Sequence, residues 1–389
     1  MRAAHLLLPL LVLLALSGPE TVAAVEKPAA TGTPLRDGTG LYPRLVRLQS
    51  SGAADGTLVA SVLDFGPDGA IGRIFHSTDG GQSFAEVGQV LDGGTVAGAC
   101  CSTLIELPVQ VGAMPPGTLL WTASVGQNGD GRRMTLPIWQ SGDQGRTWRY
   151  LSTCRTAEGT GGIWEPEFSV TADNQLVCHY ADENDPAHSQ VLRESFSADG
   201  LTWSAPFPTV APVNAGLRPG MANVRRVADG SFFMSYEICG TGNQYDCATH
   251  FRTSVDGANW GPPEDEGPLL TSETGQYFTH AQTLARIDAG TGPTRLAMVG
   301  QQLREANGEI SPGSGATVMI SDDGGPWRSV PAPVQVPSPP NAPCPNYSST
   351  LASTVDGATL VEIATDLVGE ICQPFFASLL LGRVSPGHG

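Results

Sequence analysis

The sequence predicts an all-β protein, a six-bladed β-propeller, and three observations carry that prediction. Gly and Pro are dense, 48 and 31 of 389 residues, and punctuation at about one residue in five breaks long helices but suits short strands and tight turns. A short motif, Ser, any residue, Asp, then Gly, then an aromatic, occurs five times, beginning at Ser77, Ser141, Ser197, Ser254 and Ser321. The steps between copies are 64, 56, 57 and 67 residues, averaging 61, so about 365 residues hold six units of several short strands each.

In chain order, the first element is a targeting segment, residues 1–24. Arg2 and His5 precede an apolar run from Leu6 to Leu16, and Val22-Ala23-Ala24 offers the small residues of a cleavage site. That run is shorter than the roughly 20 residues that span a bilayer. No later stretch is apolar enough to anchor the chain, so residues 25–389 are expected as one secreted, soluble domain.

The repeated motif then serves as a ruler. In Ser77-Thr78-Asp79-Gly80-Gly81-Gln82-Ser83-Phe84 and Ser254-Val255-Asp256-Gly257-Ala258-Asn259-Trp260, Asp caps backbone amides, Gly takes a positive φ, and the aromatic packs back onto the sheet. Each copy is placed between the third and fourth strands of a blade, as the superfamily resemblance given below implies. In blade three the first strands fall at residues 162–170, 174–180 and 190–196, and the other innermost strands begin near Tyr42, Ala99, Leu217, Phe278 and Asn346. Blade six has no motif and too few residues after Cys372, so residues 28–38 are expected to supply its outer strand and close the ring.

Eight cysteines, at 100, 101, 154, 178, 239, 247, 344 and 372, fit an oxidising address and read as disulfides rather than metal ligands. Cys239 with Cys247 and Cys344 with Cys372 are the first pairs expected; Cys100 and Cys101 either bond each other or find separate partners. Net charge is −17, with 21 Lys+Arg against 38 Asp+Glu. This excludes a basic footprint for nucleic acid or anionic lipid and disfavours an anionic polymer. No cofactor and no metal are expected, since the seven His show no ligand spacing and Asp182-Glu183-Asn184-Asp185 lacks the rest of a calcium loop. A monomer is the expected state.

If the Asp turns lie on the bottom face, innermost strands start, and second strands end, at the top. That places Arg44, Asp64, Glu165, Asp182, Glu183, Arg218, Glu237, His280 and Tyr347 around one rim. Glu165 and Glu167 point to one side of their strand, with Glu165 nearer the rim and Glu167 deeper, where an Arg partner is the alternative reading. Glu237 ends an apolar second strand on the next blade; its structural alternative is an ion pair with Arg218 or Arg225. Two carboxylates across a pocket suit glycoside hydrolysis, and Trp164 offers a face for a sugar ring.

The motif and its spacing resemble the Asp-box of the sialidase-like propellers. More narrowly, Tyr42-Pro43-Arg44-Leu45-Val46-Arg47-Leu48, Gly162-Ile163-Trp164-Glu165-Pro166-Glu167-Phe168, His188-Ser189-Gln190, Arg218-Pro219-Gly220-Met221 and Tyr236-Glu237-Ile238-Cys239-Gly240 are similar to glycoside hydrolase family 93, the exo-α-1,5-L-arabinanases. The resemblance implies a retaining enzyme that releases arabinobiose from linear arabinan, with Glu165 as acid/base (Glu167 the second choice), Glu237 as nucleophile, and Arg44, Trp164, Arg218, His280 and Tyr347 as substrate contacts. Two other readings stand beside it. A sialidase would use Tyr347 as nucleophile and three arginines, of which Arg44 and Arg218 supply only two. A non-catalytic carbohydrate-binding propeller would have no need for Glu165 and Glu237 on adjacent blades.

Overall fold

The computed structural model describes residues 30–381 apart from 67–68, 92–96, 288–294 and 323. Residues 1–24, expected as a targeting segment, and Asp323 of the fifth motif lie outside the described residues. Among the described residues the regular structure is all β apart from 3-10 turns at Gly52–Ala54 and at Ala97. Its strands form six antiparallel sheets in a ring. The innermost strands are Leu41–Arg47, Ala99–Glu106, Ile163–Val170, Arg218–Arg226, Thr283–Ile287 and Thr350–Ser353, and each touches the next all the way around to the first. The N-terminal strand Thr33–Pro34 pairs with Ile371–Leu380, Thr33 opposite Phe376 and Pro34 opposite Phe375. It is the outer strand of blade six, so the two ends of the chain close the ring as expected.

Because every blade is sandwiched between two others, second strands are buried on both faces and lose the alternating pattern of a half-exposed strand. Leu119–Val125, of sequence LLWTASV, is buried throughout. Side chains such as Trp121, Tyr236 and Phe278 are almost wholly withdrawn from water, each contributing on the order of 2–3 kcal/mol of hydrophobic stabilisation.

Blades four and five depart from the regular pattern. The innermost strand of blade five begins at Thr283, not near Phe278. Tyr277–Thr279 instead pairs with Gln302–Arg304 and meets the blade-four sheet at Ala248, because His280 and Ala281 both adopt left-handed φ, 63° and 51°, and break the strand. In blade six Asn346 and Ser348, at φ 58° and 56°, likewise delay regular pairing to Thr350. The fourth segment of blade four is reduced to a bridge between His250 and Leu269 flanked by two ladder bonds; Pro262, Pro263 and Pro268 lack the N–H groups that a full strand needs.

The repeated turns join third and fourth strands on one face. In the first, Asp79 accepts from Ser77 Oγ at 2.7 Å and from the amides of Gln82 and Ser83 at 3.0 Å. Asp143, Asp199 and Asp256 are held in the same way. The aromatic, expected to pack on its own sheet, reaches the preceding blade instead. Phe84 meets Phe376, Trp203 bonds Ser152, Trp260 bonds Glu194, Trp327 packs on Phe233, and Trp148 joins the cluster around Ile74. Each turn therefore clips its blade to its neighbour.

Candidate active site

At the top of the propeller every innermost strand is kinked at the same place. The ladder skips between Leu41 and Arg44, Cys100 and Thr103, Trp164 and Glu167, and Gly220 and Asn223, the mark of one extra residue in a bulge. In each case the residue after the break is left-handed: Tyr42 at φ 48°, Cys101 at 60°, Glu165 at 55° and Met221 at 55°. Ala281 and Ser348 stand in the same place, two residues before pairing begins in blades five and six. Such a conformation costs a non-glycine residue about 1–3 kcal/mol, and its recurrence in all six blades shows that the ring is built around it.

The kinks aim backbone amides at the carboxylates of the preceding strands. Met221 N–H donates to Glu165 Oε2 at 2.9 Å, and Ala281 N–H donates to Glu237 Oε2 at 2.8 Å. The two carboxylates face each other across Gly220. A side-chain carbon on that glycine would lie 3.1 Å from Glu165 Oε2 and 4.0 Å from Glu237 Oε1, so only glycine leaves the intervening space open.

Burial pushes both groups above the ordinary carboxyl range, Glu165 to about 7 and Glu237 to about 8. The charge of Glu165 raises Glu237 further, whereas Arg218 and Arg44 draw Glu165 down. Neither arginine offered as an ion-pair partner sits at Glu237. Arg225 donates to Glu167 at 2.5 Å, and Arg218 donates to Glu183 at 2.5 Å and to Gln190 at 2.6 Å. The ion-pair alternative for Glu237 is thereby overturned, while the deeper Glu167, held by Arg225 and by Thr103 at 3.0 Å, takes the structural one.

The remaining rim residues divide. Tyr347 stands edge-on to Tyr42 at 5.7 Å between ring centres, its hydroxyl 4.0 Å from Met221 Sδ; burial and the two glutamate charges raise both phenols. Arg44 is buried and donates to Ser348 Oγ at 2.9 Å. His280 lies within 4.8 Å of the Cys239 and Cys247 sulfurs, which are bonded to each other; Cys239 Sγ is 3.6 Å from Glu237 Oε1. Trp164 lies over Gly162 with Arg132 stacked at 5.3 Å, outside the contacts of the glutamate pair. Asp64 pairs with Arg36 and Arg73, and Asp182 with Arg193, so both are structural. The four disulfides are Cys100–Cys101, Cys154–Cys178, Cys239–Cys247 and Cys344–Cys372. Sequence reasoning singled out neither Tyr42 nor Met221 as a site residue, although both occupy the kink position that Glu165 marks.

No protein-family model matches the chain, and no curated protein matches its sequence. Solved structures do match its fold. The Penicillium chrysogenum α-L-arabinanase complexed with arabinobiose is 22% identical with a TM-score of 0.73, covering 92% of this chain and all of that one. The family 93 α-L-arabinofuranosidase of Fusarium graminearum with arabinobiose is 20% identical with a TM-score of 0.71, covering 90% of this chain and 97% of its own. The NanB sialidase of Streptococcus pneumoniae is more distant, 12% identical with a TM-score of 0.54 over 90% of this chain and 70% of its own. The fold is therefore a six-bladed β-propeller like that of these structures.

Proposed function

We propose that the protein is a secreted, retaining glycoside hydrolase that releases arabinobiose from the end of linear α-1,5-L-arabinan. The observation that carries this reading is the pair of carboxylates, Glu165 half-buried and Glu237 buried, brought from adjacent blades to either side of Gly220. The likeness in fold to two arabinobiose complexes supports the choice of sugar.

The pair shares one proton near neutral pH, because two desolvated carboxylates so close cannot both ionise without large cost. Glu165 is partly open to the rim and is the acid/base: hydrogen-bonded to the glycosidic oxygen, it keeps the proton and passes it to the departing sugar. Glu237 is then ionised, steadied by the Ala281 amide, and attacks the anomeric carbon. Water, deprotonated by Glu165, releases the product with retained configuration. Tyr42, Tyr347 and Arg44 stand near enough to feel the glutamate charges, His280 lies beside the Cys239–Cys247 disulfide that approaches Glu237, and no step of this scheme needs a metal or cofactor.

The test is to incubate the secreted chain with debranched arabinan and, separately, with sialyllactose, and to identify the released sugar and its first-formed anomer. Arabinobiose with retained configuration is expected. Free sialic acid, inversion, or no product from either substrate would overturn the reading.

A further inference from the structure

A cavity of about 690 Å³ opens far from the glutamate pair, on the face of the Asp turns between blades three and four. Glu194, in the strand Val191–Ser197, forms its floor opposite Phe207. This side chain is 3% exposed. Its Oε2 accepts from the Trp260 indole N–H at 3.2 Å, and among the described residues this is the hydrogen bond its carboxyl makes. Glu194 is the only ionisable side chain among the described residues lining the cavity, and burial raises it to about 8, so it presents a neutral O–H at neutral pH. His179, 3.5 Å away, is itself held neutral by burial.

The walls are apolar but capped by amides. Phe196 and Phe207 meet edge to face at 6.0 Å, with Phe207 52% exposed, and form a hydrophobic corner. The Asn259 and Gln175 side-chain N–H groups are tied to Asp256 at 2.6 Å and Asp173 at 2.9 Å, which leaves their carbonyl oxygens as acceptors. A cation would need several oxygens where one carboxyl stands. An anion would find no positive group and a chain of net charge −17. What fits is a neutral molecule with apolar faces and hydroxyl edges, in a volume typical of small-ligand sites.

We infer that this cavity is a second, non-catalytic binding site for a neutral oligosaccharide chain, with Phe196 and Phe207 against sugar faces and Glu194, Asn259 and Gln175 on hydroxyls. The site stands whether or not the reaction proposed above is correct, and it would hold a polymer on the face opposite the glutamate pair.

The experiment is affinity electrophoresis of the full secreted chain in native gels containing linear arabinan, arabinoxylan, galactan or β-glucan. Phe207→Ala and Gln175→Ala are compared in a Glu165→Ala background, so that any binding at the top face is common to every sample. Retardation by at least one polymer is expected, with the apparent affinity weakened about fivefold or more by Phe207→Ala and less by Gln175→Ala. Placed in the otherwise native chain, Phe207→Ala should leave kcat/KM on a soluble nitrophenyl glycoside unchanged. If no polymer retards the chain, or both variants run with their parent in every gel, the site does not exist. Retardation without any hydrolysis by the native chain would sink the reaction and leave the site standing.

Discussion

The two faces of the propeller use carboxylates in opposite ways. On the bottom, Asp79 receives donors from Ser77, Gln82 and Ser83 on both oxygens, and the Ser83 hydroxyl above all holds it down to about 2. On the top, Glu165, half-buried, and Glu237, buried, have one amide donor each and are pushed up to about 7 and 8. The residue type is much the same, yet one set ties turns and the other holds a proton near neutrality. What separates them is the number of donors set against the water each carboxylate gives up.

The largest effect that tests this contrast is removal of the starved pair. Glu165→Ala and Glu237→Ala should each lower kcat on linear arabinan by about 10³-fold or more, with the far-UV spectrum and Tm little changed. Azide should rescue Glu165→Ala on an activated substrate with retention and Glu237→Ala with inversion. Glu167→Ala should behave like a bottom-face change: it strands Arg225 and costs roughly 1–3 kcal/mol of stability, with much smaller loss of turnover. If Glu167→Ala is inactive and Glu165→Ala is not, the acid/base moves two residues along the strand. If both retain activity, the two-carboxylate reading fails.

Gly220→Ala gives the next effect. Its methyl would enter the space between the carboxylates at 3.1 Å from Glu165 Oε2, so kcat/KM should fall about 10- to 100-fold while the melting temperature holds. A variant with normal kcat/KM would show that substrate does not pass between the pair.

On the other face the expectation inverts. Asp143→Ala removes an acceptor of the Ser141 hydroxyl and of the Thr147 amide and hydroxyl, and should cost about 1–2 kcal/mol, as loss of a helix cap does, with kcat per folded molecule unchanged. A loss of kcat without a shift in denaturation midpoint would mean that the faces are coupled.

Much of this contrast was legible in the sequence, because it rests on repetition. Five turns gave the blade count, the Asp-box resemblance supplied the face and the strand order, and strand direction then put Glu165 and Glu237 on one rim. The closing strand at Thr33–Pro34 followed from counting residues left after Cys372. What spacing cannot carry is partner choice between blades. Arg218 bonds Glu183, 35 residues away, rather than Glu237, and Arg225 reaches Glu167 across 58 residues; either arginine suited either acid by type. The kinks were hidden for a different reason. Tyr42, Cys101, Glu165, Met221, Ala281 and Ser348 share a backbone conformation but no side-chain chemistry, and a left-handed position without glycine leaves no mark in sequence. The turn aromatics were placed on their own sheets because a single turn contains no information about the neighbouring blade.

An effect that vanishes near pH 4 and grows with pH separates starvation from access. Glu362, in the second strand of blade six, is fully buried, and among the described residues it accepts only the Val334 amide at 2.9 Å, with Oε1 unpartnered. Burial raises it to about 8, as it does Glu237, yet nothing can reach it. Such a group keeps its proton in the folded chain while the unfolded chain loses one near the ordinary 4.5. Stability on its account is therefore unpenalised below that value, falls as pH rises from about 4.5 to about 8, and is level above. Glu362→Gln keeps the acceptor for Val334 and cannot ionise. Its unfolding free energy should match the parent's near pH 4 and exceed it increasingly toward pH 8, by on the order of 4 kcal/mol, with kcat unchanged throughout. A gap independent of pH would show that Glu362 is ionised in the fold and that poor hydrogen bonding alone does not hold a proton on a buried carboxylate here. The same result would remove the physical basis for a shared proton between Glu165 and Glu237.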